Sequence, residues 1–172
     1  MRHRASDAWL VDDKSRRQRV RAGFPLINIV IMRLNGYVTE NERTYLIGDL
    51  PSKVADAFQV MTRAQTAGAE AMVEGGRVCD LDSAAQGIVE RAGYGDQINH
   101  RTGHGIGLAG HEYPDDTAFN YRPLQAGMVF SSEPGIYFPD LGGVRHDDTV
   151  IVGADRAEIV TKFTKAIDDL TI

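Results

Sequence analysis

Four of the five histidines in this chain fall between positions 100 and 148, set among carboxylates and glycines. The segments read His100-Arg-Thr-Gly-His104-Gly-Ile-Gly-Leu108, His111-Glu112-Tyr-Pro114, Ser132-Glu133-Pro134-Gly135-Ile-Tyr137 and Gly143-Val-Arg145-His146-Asp147-Asp148. Imidazole and carboxylate side chains on glycine-rich turns and at strand ends are what a chain needs to hold a metal ion or to move protons. Function is therefore sought here first.

The elements that must position these groups are legible on either side. Leu26 to Arg33 is a β-rich apolar stretch, Asn35-Gly36 is a tight-turn signal, and Tyr37 to Ile47 alternates well enough to return as an antiparallel strand. Asp49-Leu50-Pro51-Ser52 predicts a helix start. Val54, Phe58, Met61, Gln65, Gly68 and Met72 then trace a helical stripe that runs to about Glu74, before Gly75-Gly76. Asp80 is expected to cap a second helix with Leu81, Ala84, Ala85, Ile88, Val89 and Ala92 inward, ended by Gly93. Strands are expected at Met128 to Ser132, Gly135 to Phe138, Val144 to Val152 and Glu158 to Thr161, separated by glycine and proline. Strands, then helices, then strands describe an α+β domain with helices on one face of a largely antiparallel sheet.

Bulk properties narrow the class. With 172 residues, 42% hydrophobic content and a net charge of −5, one compact domain over 23–172 is expected, preceded by a basic arm over 1–22. Residues 1–21 hold seven Lys or Arg against three Asp, and the remainder is acidic, which argues against nucleic acid as a partner. The longest apolar run, Pro25 to Met32, is too short to cross a bilayer, so no membrane association is expected. A single cysteine, Cys79, fits a reducing, cytoplasmic setting and reads as a buried thiol. Gly105-Ile-Gly107-Leu-Ala-Gly110 matches a dinucleotide-binding glycine pattern. The following His111-Glu-Tyr-Pro114-Asp-Asp opposes the helix that such a turn requires, so the glycines are read as letting the backbone bend closely around a site.

Taken with their spacing, His104-Gly-Ile-Gly-Leu, His111-Glu-x-Pro114, Gly127-Met-Val to Glu133-Pro-Gly-Ile-Tyr137, Gly143-Val-Arg145 with Asp148-Thr-Val, and upstream Gly36-Tyr37 with Arg43-Thr44 carry a resemblance. Over roughly residues 23–165 the chain resembles the catalytic domain of the pita-bread metallopeptidases: Xaa-Pro aminopeptidases, prolidases and methionine aminopeptidases, with creatinase as a metal-free relative. The resemblance implies a pita-bread fold that here lacks its opening helices and strand, and a partner copy covering the open side, hence a homo-oligomer. It also implies two divalent cations held by two hairpin aspartates, a histidine, a glutamate before Pro-Gly and a glutamate on the last strand. His104 and Glu133 match without change. Asp147 stands where the family has glutamate, one methylene shorter, a deficit of about 1–1.5 Å against usual coordination tolerances. Glu40 stands for the second aspartate. The first falls in Ile29-Val30-Ile31, which has no carboxylate. One cation (Mn, Zn or Co) through Glu40, His104, Glu133 and Asp147 is expected rather than two, with a cation-free site as the alternative.

The resemblance also distributes the other roles. His111 donates a hydrogen bond to a developing oxyanion, and Glu133 shuttles a proton. Glu42, in Glu42-Arg43-Thr44, matches the creatinase arrangement in which carboxylates grip a substrate guanidinium. His100, Glu112, Arg145, His146 and Asp148 are read as groups that orient the ligands or border the substrate, with Arg145 holding a carboxylate in a bidentate pair. Three functions stay open: an Xaa-Pro peptidase-like metal-assisted hydrolase acting on peptides, a metal-free creatinase-type hydrolase of a small C–N substrate, and a non-catalytic relative that binds.

Overall fold

The computed structural model describes residues 20–172; the basic arm expected over 1–22 lies, up to residue 19, outside the described residues. Strand β1 (Pro25–Leu34) turns through Asn35-Gly36 into β2 (Tyr37–Leu46) with ten consecutive antiparallel pairs. Both turn residues have positive φ, 51° and 92°, the conformation of a two-residue turn whose twist matches the strands, and asparagine followed by glycine is the pair that adopts it most readily. The register sets Ile31 opposite Glu40 and Ile29 opposite Glu42. Period-two alternation therefore gives the hairpin one face with isoleucines on β1 and glutamates on β2.

Helix α1 (Ser52–Glu70) follows Pro51, which sits at the cap, one residue before the first helical position. The stripe from Val54 to Met72 is buried as expected, but the helix ends at Glu70, short of Glu74. The difference is tertiary: Val73 bridges Gly153, and the Glu74 N–H donates to Gly153 O at 2.9 Å, which draws these residues out of the helix. Helix α2 (Val78–Arg91) is capped by Asp80 from its third position rather than from the cap itself. The Asp80 carboxylate accepts from the backbone N–H of Arg77, the cap residue. Gly93, with φ 84°, closes it: Tyr94 N donates to Val89 O and Gly93 N to Glu90 O, satisfying the last carbonyls. Along the inner stripe Leu81, Ala85 and Val89 are buried, whereas Ala92 is exposed.

Seven strands follow: β3 (Gly103–Gly105), β4 (Glu112–Asp116), β5 (Val129–Ser132), β6 (Gly135–Phe138), β7 (Gly142–Arg145), β8 (Asp147–Ile151) and β9 (Glu158–Ile159), before a last short helix, α3 (Ile167–Leu170). The main sheet runs β1-β2-β8-β5-β3-β4 with β9 on β8, and β6 and β7 form a separate hairpin; every strand pair is antiparallel. The expected strand from Val144 to Val152 is broken at His146, where the chain passes from the small hairpin to the main sheet. Strands β3 and β4 carry no β-branched residue and no alternation of apolar and polar positions, so composition does not announce them.

Two apolar clusters join the layers. Phe58, Met61 and Ala64 of α1 meet Ala85 and Val89 of α2 and Ile136, Phe138 and Val144 of the small hairpin; Met72, Leu81, Leu124, Phe130 and Val150 make the second. Cys79 is buried, as expected. No helix among the described residues is long and apolar enough to cross a membrane. Along β1, Val30, Ile31, Met32 and Leu34 are exposed.

Candidate functional site

Three strands of the main sheet and the small hairpin bring the carboxylates together. Glu42 lies directly opposite Asp147 across β2 and β8, and Glu40 is two residues along on the same face. Both glutamates are buried, and Glu40 points inward: its Oε1 is 3.1 Å from His104 Nε2. Glu133 follows β5 and is held by its backbone N–H donating to Thr102 O at 2.7 Å, which aims its Oε1 at the same nitrogen, 3.3 Å away.

His104 sits in the middle of β3, a strand pressed so tightly on β5 that a Cβ on Gly103 would lie 2.2 Å from Ser131 O. Only glycine allows that approach. Ser131 Oγ accepts from His104 N at 3.0 Å and fixes the residue further. The imidazole Nδ1 is 3.0 Å from Gly105 O, and since a carbonyl only accepts, Nδ1 carries a hydrogen. The remaining nitrogen, Nε2, thus faces two carboxylates. A lone pair there would repel them; a proton or a metal cation between them relieves the conflict. Burial alone would lower the His104 imidazole, but the Glu133 and Glu40 carboxylates outweigh it and raise it to about 9. Glu133 responds in kind: burial pushes its carboxyl up, yet the hydrogen bond from His104 and the charge of Arg145 bring it below the usual range.

Asp147 is fully buried. Its Oδ1 accepts from Ser132 N at 3.2 Å, while Oδ2 has no hydrogen-bond partner. Burial, with Glu40, Glu133 and Glu42 nearby, raises its carboxyl well above the ordinary aspartate value. An unpartnered oxygen among three other carboxylates fits a cation. His104, His111 and Glu133 offer ligand atoms that all lie within 4.8 Å of one another, so His111, read from sequence as an oxyanion donor, also comes within reach of a metal. It is exposed, and its ring stands edge-on to His104 with centroids 3.8 Å apart. Nitrogen and oxygen donors of this kind suit Mn, Zn or Co. The residues present thus fit one cation. On β1, Ile29 and Ile31 stand opposite Glu42 and Glu40, so that strand adds no donor there.

The surrounding residues divide between those that touch this cluster and those that do not. Arg145 pairs with Glu42, Nη2 donating to Oε1 at 2.5 Å and Nε forming an ion pair with Oε2, and its Nη1 is 3.6 Å from Glu133 Oε2. Burial raises the Glu42 carboxyl to about 7 against the lowering pull of Arg145. His100 donates from Nδ1 to Arg101 O and accepts at Nε2 from the Tyr137 hydroxyl, both at 2.7 Å; burial holds its imidazole below the usual value. Glu112 turns away from the cluster and accepts from Ala109 N at 2.7 Å, pinning the 107–110 loop. Asp148 faces the other side of β8, where Arg43, Gln65 and Lys165 donate to it. His146 also points away: it packs edge-on to Phe58 at 4.9 Å, and burial pushes its imidazole down to about 3. It cannot make up for the short Asp147 side chain, because strand alternation sends neighbours to opposite faces. The sequence reading did not single out Tyr137, whose signal was a hydroxylated ring two residues after Gly135 in the Glu133-Pro-Gly segment.

The profile described as Metallopeptidase family M24 matches residues 3–154. The chain is 43% identical over 132 residues to a putative dipeptidase, YkvY, of Bacillus subtilis, covering 77% of this chain and 36% of that protein. It is 39% identical over 133 residues to the Xaa-Pro dipeptidase of Pyrococcus furiosus, covering 77% and 38%. The solved prolidase of Pyrococcus furiosus superposes with a TM-score of 0.86 at 34% identity, over 91% of this chain and 47% of that one. The chain therefore spans less than half the length of these relatives.

Proposed function

The chain belongs to metallopeptidase family M24, and from that premise we propose that it is a dipeptidase-like hydrolase of Xaa-Pro peptides that works with one divalent cation held by Glu40, His104, Glu133 and Asp147. The observation that carries this reading is His104 Nε2, aimed between Glu40 and Glu133 while Nδ1 is engaged by the Gly105 carbonyl. When bound, the cation supplies Lewis acidity toward a water and a substrate carbonyl. Glu133 is the group placed to hold and pass on a proton, since it borders His104 on one side and Arg145 on the other. His111, exposed beside His104, is the imidazole that meets the substrate and stabilises negative charge on its oxygen.

The metal-free alternative requires Glu42 to grip a substrate cation. Both of its oxygens are engaged by Arg145, which weighs against that role. The single buried cysteine supports a reducing, cytoplasmic setting, and the exposed apolar edge of β1 supports self-association. Sedimentation tests the latter: a dimer agrees with it and a monodisperse monomer does not.

The function is tested by stripping the chain of metal, adding Mn²⁺, and following cleavage of an Xaa-Pro dipeptide series beside creatine. Metal-dependent cleavage of the dipeptides, reduced about 10²- to 10⁴-fold by Glu133→Gln, supports the proposal. Cleavage of creatine without metal, or no cleavage of either, rejects it.

A further inference from the structure

Strand β1 has two faces, and one of them borders the carboxylate cluster. The register sets Ile29 opposite Glu42 and Ile31 opposite Glu40, and Glu40 reaches His104 Nε2 at 3.1 Å. Directly opposed residues of an antiparallel pair carry Cβ atoms about 4.5–5.5 Å apart, so both isoleucines edge the site. Val30, Met32 and Leu34 alternate to the other face of the strand. Ile29 is half-buried, whereas Ile31 is 62% exposed although its cross-strand neighbour Glu40 is buried. Two residues further along the same face, Arg33 Nη1 donates to Gly36 O at 2.7 Å and to Leu108 O at 2.8 Å, and Val38 N donates to Gly107 O at 2.8 Å. These bonds tie the 107–110 loop, which leads into the exposed His111, to the same end of the hairpin. We propose that Ile29 and Ile31 form an apolar wall on which the Xaa side chain of an Xaa-Pro dipeptide packs, so that the chain selects a large aliphatic Xaa over glycine or aspartate.

The chemistry of the occupant follows from these neighbours. Proline is the constant residue of such a substrate, so selectivity resides in Xaa. A leucine or valine laid on Ile31 removes apolar surface from water on both partners. Glycine has nothing to lay there. An aspartate would lose hydration against the isoleucines and stand beside the Glu40 carboxylate, a like charge. Ile29 and Ile31 are thus specificity-determining residues, and the outward Val30, Met32 and Leu34 are left to the self-association described above. What packs on the wall rests on the Xaa-Pro reading; where it packs rests on the register of β1.

Two measurements test it on the wild-type chain, on Ile31→Ser and on Met32→Ser, whose side chain is 60% exposed on the opposite face of β1. The first is kcat/KM with Mn²⁺ for Leu-Pro and Gly-Pro; the second is calorimetric titration of the metal-stripped chain with the same two dipeptides, which reads binding without turnover. Leu-Pro is expected to exceed Gly-Pro by at least about tenfold in the wild-type chain and in Met32→Ser, and the ratio is expected to fall toward one in Ile31→Ser. Ile31→Thr, which keeps the β-branch suited to a strand, serves should Ile31→Ser fail to fold, and it is expected to lower the ratio in the same direction. Equal handling of the two dipeptides by the wild-type chain, a preference that survives at Ile31, or a preference lost equally in Met32→Ser overturns the inference alone. No cleavage of either dipeptide by a chain that still binds Leu-Pro at least tenfold more tightly rejects the hydrolase reading and upholds the wall. Neither cleavage nor binding overturns both.

Discussion

Asp116 gives a stability test that is independent of catalysis. Its side chain is 0% exposed on β4, and neither carboxylate oxygen has a hydrogen-bond partner. Burial, with the Asp82 carboxylate of α2 adding to it, raises its carboxyl well above the usual value, only partly opposed by the Asp82 backbone N–H and the Arg101 charge. A buried polar group left unpaired costs about 1–3 kcal/mol. Leucine fills a comparable volume without that cost, and replacing a buried unpaired group by a packed apolar one is a known route to higher stability. For a chain of this size each kcal/mol moves Tm by about 2–4 °C, so Asp116→Leu is expected to raise Tm by about 2–12 °C at neutral pH. The sign of the pH dependence follows from linkage. Because the folded pKa is raised, the unfolded chain releases this proton first, and wild-type stability falls as pH climbs from the ordinary aspartate range toward the folded value. The variant lacks that loss, so its advantage widens with rising pH. Asp116→Asn removes the charge but keeps an unpaired polar group, and its gain is smaller. Thermal melts by circular dichroism from mildly acidic to mildly alkaline pH provide the assay. A lower Tm in Asp116→Leu, or a gap that shrinks as pH rises, refutes the reasoning.

Two further outcomes are expected of the scaffold. Phe130→Ala removes a fully buried ring from the second apolar cluster and should cost about 3–5 kcal/mol in urea unfolding; a loss near zero would mean the cluster does not hold β5 in place. Gly103→Ala places a Cβ against Ser131 O and should cost about 1–3 kcal/mol through overpacking while loosening Mn²⁺ binding, because β3 carries His104. A fully stable Gly103→Ala chain with wild-type Mn²⁺ affinity would contradict the tight β3 to β5 contact.

Where local chemistry decides the conformation, sequence and structure coincide. The Asn35-Gly36 turn, the α1 stripe, the reach of Asp80 back to the start of α2 and the Gly93 stop all depend on residues within a few positions of one another. Where distant segments compete, they part. The last turn expected of α1 is lost to pairing of Val73 with Gly153, and the expected strand across His146 divides because two sheets claim its halves. Strands β3 and β4 exist because Gly103 lets one backbone close on another, which no strand propensity records.

The site divides in the same way. His104 and Glu133 stand in motif settings strong enough to be picked out from sequence. The inward turn of Glu40 depends on hairpin register relative to β8, a long-range quantity, and so does the grip of Arg145 on Glu42. His146, expected to orient the ligands or border the substrate, instead packs edge-on against Phe58, a contact set by long-range packing.

The central claim is that Glu40, His104, Glu133 and Asp147 hold one divalent cation. Calorimetric titration of the metal-stripped chain with Mn²⁺, run beside His104→Ala, tests it most directly. The account predicts a saturable one-to-one isotherm in the wild-type chain that disappears in the variant. An isotherm of the same strength in His104→Ala, or no binding in either protein, would contradict it.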